Sequence, residues 1–269
     1  MNLSATELLH HIDSGTLWPS GPAQAEADPT SVPAAYQRQL AMRAMRITRG
    51  ERPRGFKIGF TNRGIWSRYN VFGPIWGTVW DSTLSQCGDA GEVDLTHTCQ
   101  PRIEPELVFG MRSTPRPGAT LQDLFEAVDW MAPGFEIVQS HLPDWKFAAP
   151  DAVADGALHA RLVVGQTTPV RALASDAAGL DTLLAQARVV LLRDGTLRES
   201  GLGSNVLDSP LRALHHFLQE LRRCPGAPDL LAGDVVTTGT WTDAWPVAAG
   251  ERWCAQFSAP LHSLDVVLR

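Results

Sequence analysis

The 269-residue sequence lacks the features that define several large functional classes. It has no apolar run approaching the roughly 20 residues that cross a membrane. Its formal net charge of −6 gives no support for a basic nucleic-acid-binding face. The N-terminus, MNLSATELLHHIDSG, lacks the basic start and apolar core of a signal peptide. The sequence therefore predicts a cytoplasmic protein that binds neither nucleic acid nor membrane.

Motifs for zinc, serine-hydrolase and nucleotide chemistry are also missing. The four cysteines, at positions 87, 99, 224 and 254, form no Cys-x-x-Cys pair, which disfavours a zinc site. No G-x-S-x-G elbow occurs. The GLGSNV stretch lacks the third glycine of a dinucleotide loop. With 44% hydrophobic and 19% charged residues, the chain has the composition of an ordinary globular protein that can bury a sizeable core.

The sequence does contain a helical start followed by many short strands. Apolar spacing predicts helices over about residues 5–13 and 34–49, with a Pro- and Gly-rich loop between them. From Phe56 onward, Val-, Ile-, Trp- and Phe-rich runs alternate with Gly, Pro and Asp, which predicts strands. Further helices are predicted over about 121–130 and in DSPLRALHHFLQELRR, and a tight hairpin at Asp194-Gly195. We expect a β-rich α+β fold, a roll or sandwich.

Glutamates in two apolar runs are the first candidates for chemistry. In PRIEPELVFG, Glu104 and Glu106 are two residues apart, so on a strand their carboxylates project from the same face. Pro105, between them, lacks an N–H and predicts an edge or irregular strand. Glu136 lies in the apolar GFEIVQS run, and an all-oxygen set of three carboxylates suits Mg²⁺ or Mn²⁺. A solvent-exposed strand face is the alternative that the spacing leaves open.

Five segments occur in the order typical of one enzyme family: GFKIGFTNR, RIEPELVF with FEIVQS about 30 residues later, DWKFAAPDAVADGA, GSNVLDSPLRALHHFLQEL and LLAGDVVTTGTWTDAWPVAAGE. Together they resemble the fumarylacetoacetate hydrolase superfamily, and within it the 2-keto-4-pentenoate hydratase and 4-oxalocrotonate decarboxylase branch. The resemblance implies the superfamily's C-terminal type of mixed β roll over residues 51–269, a small helical region over 1–50, and a homo-oligomer. It also implies a metal-dependent lyase that acts on a small 2-oxo or 2-hydroxy-dienoic acid.

The resemblance assigns roles to individual residues. Glu104, Glu106 and Glu136 would hold Mg²⁺ or Mn²⁺, which would stabilise an enolate at C2 of the substrate. Lys57 would donate a proton or hold the substrate carboxylate, with a pKa lowered by burial and by the metal. Four further residues are expected to contact or line the substrate site: Ile75, Lys146, Asp155 and Thr240.

Two positions depart from the pattern of the branch. In FGPIWGTVWD, Ile75 stands where the hydratases carry an aspartate that works with the lysine on water. An apolar residue there favours decarboxylation, since a dry pocket disfavours the charge of a leaving carboxylate. In ADGALHA, Gly156 replaces the asparagine that usually follows Asp155, and Leu158 and His159 replace serines. This second departure predicts an unusual substrate.

Three alternatives remain at this point. Asp81 is near Ile75 in sequence and could substitute for the missing aspartate, which would restore hydration. An acylpyruvate hydrolase would need a water-activating His–Glu dyad, for which His10, His11 and Glu7 are the local candidates. The third alternative is a non-catalytic homologue that holds the metal without turning over a substrate.

Overall fold

The computed structural model describes residues 3–19, 31–69 and 72–269. The helices in these residues are α1 (Ala5–Ser14), α2 (Ser31–Thr48), α3 (Trp66–Tyr69), α4 (Leu121–Ala127), α5 (Ala149–Ala154), α6 (Ala177–Gln186) and α7 (Pro210–Arg223). The strands are β1 (Pro53–Gly59), β2 (Ile75–Trp80), β3 (Leu84–Gln86), β4 (Ala90–Val93), β5 (Arg102–Met111), β6 (Val128–Val138), β7 (His159–Val164), β8 (Thr168–Pro169), β9 (Arg188–Arg193), β10 (Thr196–Leu202), β11 (Val235–Thr237), β12 (Trp245–Pro246), β13 (Arg252–Phe257) and β14 (Leu264–Leu268).

The strands form two mixed sheets. The larger sheet has the order β2-β1-β11-β5-β6-β7-β3, with β12 also paired to β5 and β8 to β6. The smaller sheet has the order β10-β9-β13-β14-β4. The long antiparallel pair β5–β6 lies in the middle of the larger sheet, and its register sets Glu104 directly opposite Glu136. The predicted β-rich α+β fold is confirmed.

Most of the predicted elements are present, with differences at their ends. The helices α1 and α7 and the strands β9 and β10, joined at Asp194-Gly195, lie where the sequence predicts them. Helix α2 begins at Ser31, three residues before the prediction, and residues 20–30 of the predicted loop lie outside the described residues. The predicted helix over 121–130 is too long: α4 ends at Ala127, because Val128 and Trp130 already pair with β5.

Pro105 lies in an interior strand, so of the two predicted settings the edge strand is wrong and the irregular strand is confirmed. β5 pairs with β6 on one side and with β11 and β12 on the other. β11 ends opposite Val108 and β12 begins opposite Ile103, so neither strand pairs with Pro105 itself. The Trp241 N–H donates to the Pro105 carbonyl across this gap at 3.2 Å. The missing proline N–H therefore falls where the ladder is already interrupted.

The N-terminal helices pack against the sheet and share its core. The ring of Tyr36 on α2 stacks on Trp76 of β2, with 4.7 Å between ring centroids, and its hydroxyl accepts from the Trp76 N–H at 3.1 Å. The Gln39 side chain donates to the carbonyls of Trp76 and Val153, which ties α2 to both β2 and α5. These buried contacts hold the strand that carries Ile75.

The division of the chain at residue 50 stays a prediction. Within the described ranges, no helix is long and apolar enough to cross a membrane.

Candidate metal and active site

The three glutamates meet at the centre of the larger sheet. One oxygen from each of Glu104, Glu106 and Glu136 lies within 4.8 Å of the others. Glu106 and Glu136 are completely buried, and Glu104 is partly buried. The prediction that the pair on β5 shares a face is confirmed, and a solvent-exposed strand face is excluded.

Burial raises the pKa of all three carboxyl groups, and the charges of neighbouring carboxylates raise it further for Glu104 and Glu106. For Glu104, burial and the charges of Glu106 and Glu136 raise the pKa to about 8, although the Lys57 ammonium acts in the opposite direction. Burial and the Glu136 charge raise the pKa of Glu106 well above its ordinary value, and burial raises that of Glu136. Three acids held this closely are stable as carboxylates only when further positive charge is bound between them.

The protein itself satisfies only part of this cluster. The Gly239 N–H donates to Oε2 of Glu106 at 2.6 Å, and Nδ1 of His159 lies 2.8 Å from Oε1 of Glu136. Within the described residues, Oε1 of Glu106 has no hydrogen-bond partner, and Oε2 of Glu136 has only Nζ of Lys57 at 3.3 Å. Buried carboxylate oxygens without donors are costly. An all-oxygen donor set with uncompensated charge fits a hard divalent cation, and Mg²⁺ fits.

Lys57 is buried next to these carboxylates. Its side chain, at 3% exposure, comes from β1 and reaches Glu136. A Cβ added at Gly59 would lie 3.6 Å from Nζ of Lys57 and 3.2 Å from Ile75, so a glycine leaves room for the ammonium group. Burial lowers the pKa of Lys57, but the charges of the three glutamates outweigh burial and raise it. The pKa of Lys57 is thus raised while the carboxylates have no metal between them, and the expectation of a pKa lowered by burial together with a bound metal stays a prediction.

A cavity of about 400 Å³ opens above the cluster. Lys57 and Glu104 line it, whereas Glu106 and Glu136 do not. One part of its wall is apolar and includes Ile75, Val138, Trp145, Phe147, Ala157 and Leu158. Another part is polar and includes Asn62, Arg102, Glu199, Asn205, Thr242 and Asp243. The cavity is large enough for a small organic acid and offers it one buried ammonium and one carboxylate of the cluster.

Two of the four predicted substrate contacts line this cavity, and two do not. Ile75 and Thr240 line it, with the Thr240 hydroxyl bonded to the backbone of Thr242. Lys146 lies outside: its side chain is 80% exposed, and Nζ is 3.4 Å from Asp144. Its neighbours Trp145 and Phe147 take the cavity wall instead.

Asp155 is buried away from the cavity wall. One of its oxygens accepts from the His141 N–H at 3.0 Å, and the other lies 2.6 Å from Nδ1 of the same histidine. Both oxygens are thus occupied by one residue, so the prediction that Asp155 contacts the substrate is wrong. The carboxylate instead fastens the end of α5 to the segment that follows β6.

The residues proposed for the alternative reactions also lie outside the cavity wall. Asp81 is exposed, and its carboxylate accepts from the Arg52 N–H at 3.0 Å, so it does not replace the aspartate missing at position 75. Glu7 forms a capping box with Ser4 at the start of α1, and Nδ1 of His11 bonds to a threonine hydroxyl. None of Glu7, His10 and His11 lines the cavity, so the structure gives no support to the predicted water-activating dyad.

His159 is the important residue that the sequence prediction missed. It was visible only as a departure in ADGALHA, and a β-bulge at Ile137/Val138 shifts the register between β6 and β7. Spacing alone therefore did not place the ring beside Glu136. Burial lowers the pKa of His159 well below its ordinary value, which favours the neutral ring beside Glu136.

Comparison with known proteins finds relatives that are named as hydratases or decarboxylases of one enzyme branch. The chain is 35% identical over 224 residues to 2-hydroxyhexa-2,4-dienoate hydratase from Comamonas testosteroni, covering 83% of this chain and 81% of the relative. It is 33% identical over 187 residues to a 4-oxalocrotonate decarboxylase from a Pseudomonas species, covering 70% and 68%. No protein-family model matches the chain.

Solved structures show the same fold. The 4-oxalocrotonate decarboxylase from Pseudomonas putida G7, complexed with magnesium and adipate, superposes with a TM-score of 0.83 at 26% identity, covering 98% of this chain and 97% of that one. A fumarylpyruvate hydrolase from Pseudomonas aeruginosa superposes with a TM-score of 0.58 at 17% identity, covering 80% and 88%. At that lower identity the likeness concerns the fold alone.

Proposed function

We infer the function from one premise: the chain belongs to the 2-keto-4-pentenoate hydratase and 4-oxalocrotonate decarboxylase branch of the fumarylacetoacetate hydrolase superfamily. We propose that it is a divalent-metal-dependent lyase for a small 2-oxo or 2-hydroxy-dienoic acid. The observation that carries this proposal is the buried cluster of three carboxylates beside a buried lysine at one cavity. Relatives that share the fold are named for these reactions, which supports the same conclusion.

The proposed roles follow from where the side chains lie. Glu104, Glu106 and Glu136 would hold Mg²⁺ or Mn²⁺, which when bound supplies a Lewis acid for the 2-oxygen of the substrate, where negative charge develops. Lys57 holds a proton at Nζ, the buried ammonium nearest the cluster, and would deliver it to a substrate carbon. The apolar wall around Ile75 keeps water away from that side of the cavity.

Decarboxylation is the reaction that the cavity favours. Ile75 is 3% exposed and lies beside Lys57 and Gly59, where an aspartate would be needed to direct water. Asp81, the only nearby substitute that the sequence suggested, binds the backbone of Arg52 instead. A wall without a water-directing carboxylate at this point suits loss of CO₂ more than addition of water.

Hydration of a 2-hydroxydienoate is the second candidate. It is supported by the 35% identity to a hydratase over most of both chains. The two reactions differ in one product, CO₂, which makes them easy to separate. A homo-oligomer and a cytoplasmic location are further parts of the proposal, to be checked by light scattering and by cell fractionation.

The test uses the purified protein with Mg²⁺ and, separately, 4-oxalocrotonate, 2-hydroxypenta-2,4-dienoate and an acylpyruvate. We expect ultraviolet loss with CO₂ release from 4-oxalocrotonate. Consumption of the dienoate without CO₂ from 4-oxalocrotonate would refute the decarboxylase preference and establish hydration. Turnover of the acylpyruvate alone would refute both. Inactivity with all three substrates in the presence of bound Mg²⁺ would favour the non-catalytic alternative.

A single substitution sharpens the choice between the two reactions. Ile75→Asp places a carboxylate beside Lys57, where a negative charge is expected to direct water and to oppose release of CO₂. We expect decarboxylation to fall by ~10²-fold or more, since a buried charge next to the reacting group is expensive. Ile75→Val, which keeps the wall apolar, is the matched control. Equal loss in both variants would show that packing, and not the charge, matters there.

A further inference from the structure

We propose that His159 limits Glu136 to one free oxygen, and that this makes the three-glutamate centre selective for Mg²⁺ or Mn²⁺ over Ca²⁺. The inference rests on the metal centre of the proposed function, and it assigns a positioning residue to that centre. His159 does not line the cavity, so it acts through Glu136 and not on the substrate.

The first observation is how the imidazole is fixed. Nδ1 of His159 lies 2.8 Å from Oε1 of Glu136, and an ionised carboxylate can only accept, so Nδ1 carries the hydrogen. On the other side of the ring, Nε2 lies 2.8 Å from the Thr83 hydroxyl, which is itself held by the Trp80 N–H at 3.1 Å and the Trp80 carbonyl at 3.2 Å. The side chain is 3% exposed. Both ring nitrogens are therefore used, and the ring is held at one oxygen of Glu136.

The second observation is that Glu106 also has one oxygen held by a protein donor. The Gly239 N–H binds Oε2 at 2.6 Å and leaves Oε1 without a hydrogen-bond partner in the described part of the chain. The N–H points there because Gly239 has φ +94°, a conformation that favours glycine. Glu136 and Glu106 thus each have one oxygen held by a neutral protein donor, while the other oxygen faces only Nζ of Lys57 at 3.3 Å in Glu136 and no donor among the described residues in Glu106.

The consequence concerns the size of the ion. Mg²⁺ requires near-octahedral geometry with single oxygens and keeps several waters, whereas Ca²⁺ takes six to eight oxygens and often binds a carboxylate through both. A carboxylate oxygen that accepts from a buried donor has one of its two lone pairs already used and its orientation fixed by that donor, so bidentate binding of the carboxylate competes with the hydrogen bond. The hydrogen bonds from His159 and Gly239 therefore penalise Ca²⁺ more than Mg²⁺.

The simpler alternative is that His159 is a buried histidine that only fills space and satisfies its neighbours. That role predicts a less stable variant in which the affinities for all ions change together. The selectivity role predicts a change in the ratio of affinities. The two are separated by measuring ion binding directly, without reference to turnover.

The experiment strips the protein with a chelator and measures Kd for Mg²⁺ and Ca²⁺ by calorimetry, and the Mn²⁺ environment by electron paramagnetic resonance. His159→Ala removes the donor, and we expect a ~10- to 100-fold weaker affinity for Mg²⁺, with a smaller loss for Ca²⁺. His159→Asn keeps a donor near the position of Nδ1, and we expect it to restore most of the Mg²⁺ preference and the Mn²⁺ spectrum. His10→Ala, on the exposed face of α1, is the histidine control.

The outcomes distinguish the two levels of the proposal. An unchanged ratio of Mg²⁺ and Ca²⁺ affinities in His159→Ala, in a folded protein, overturns the role of His159 and leaves the metal centre intact. An equal loss in His159→Asn and His159→Ala also overturns it, because packing would then explain both. If the wild type binds none of the three ions, the metal centre of the proposed function fails as well.

Discussion

The sharpest prediction concerns Glu106→Gln, which keeps the shape of the side chain and removes one charge. Glu106 is completely buried; its Oε2 accepts from the Gly239 N–H, and its Oε1 has no hydrogen-bond partner among the described residues. A glutamine can still accept from the Gly239 N–H, so the backbone around the cluster should keep its position. The substitution therefore tests the charge of the centre more than its packing.

The expected effects differ between the metal-free and the metal-bound protein. Two ionised carboxylates with oxygens 4.8 Å apart repel by roughly 3–4 kcal/mol at an effective dielectric constant of about 20, a cost that the metal-free protein lowers by taking up protons, as the raised pKa values indicate. Removing one of these carboxylates should leave the metal-free protein as stable as the wild type or more stable. Mg²⁺ at 100 times its Kd stabilises a folded protein by about 2.7 kcal/mol, and this gain should be lost when a ligand is lost.

Thermal unfolding with a chelator and with Mg²⁺ measures both effects. For the wild type, we expect Mg²⁺ to raise Tm by roughly 5–10 °C, and for Glu106→Gln by almost nothing at the same concentration. Glu199→Gln, which changes a carboxylate in the cavity wall outside the cluster, is the control with the same change of charge. A Mg²⁺-dependent shift in Glu106→Gln as large as in the wild type would refute the three-carboxylate centre.

Three further predictions concern other charged side chains. Lys57→Met removes the proposed proton donor, so it should lower kcat by ~10²- to 10⁴-fold while Mg²⁺ binding is retained. Lys146→Met changes an exposed lysine and should have the kcat of the wild type. Equal losses of kcat in the two variants would refute the role of Lys57. Arg102 lines the cavity, so Arg102→Gln should raise KM ~10- to 100-fold for a substrate with a second carboxylate and leave KM for the monocarboxylate dienoate unchanged. An equal rise of KM for both substrates would exclude recognition of the second carboxylate by Arg102. For Glu51, burial raises the pKa, but hydrogen bonds from Arg46 and its charge outweigh burial and lower the pKa from 4.5 to about 2. A lowered folded-state pKa stabilises the fold above pH 4.5, and this stability is lost as the pH falls towards 2. The decrease in unfolding free energy caused by Glu51→Gln should therefore be smaller at pH 3 than at pH 7. An equal decrease at both pH values would show that the ion pair is not the source of the stabilisation.

The carboxylate pair could be predicted from sequence because strand alternation is a local rule. Two glutamates at i and i+2 in an apolar run share a face wherever the strand lies in the sheet. The hairpin at Asp194-Gly195 could be predicted for a similar reason, because an Asp-Gly pair between two apolar runs is a local turn signal. Strand alternation did not show that Pro105 lies in an interior strand, because an interruption on the far side of β5 depends on where β11 ends and β12 begins.

The errors fall where the backbone leaves regular geometry. Asp144 and Trp145 both have positive φ, at 56° and 58°, so alternation no longer decides which side chains face the cavity. Lys146 accordingly points outward, although its neighbours in the DWKF segment line the wall. Asp155 was expected at the substrate because its segment matches the family, yet its partner is a histidine 14 residues earlier, which no local pattern indicates.

The ADGALHA segment connects the two departures from the family pattern. Gly156, Ala157 and Leu158 have consecutive φ values of 64°, 56° and 67°, and each non-glycine residue in this conformation costs about 1–2 kcal/mol. Gly77 of β2 must remain a glycine, because a Cβ there would lie 2.3 Å from the Gly156 carbonyl oxygen. The strained turn brings Leu158 into the cavity wall, and His159 directly after it meets Glu136. Leu158 thus makes the cavity wall more apolar, and His159 holds Glu136, a proposed metal ligand, on the other side of the turn. A substitution in this segment is therefore expected to change substrate preference and ion preference together.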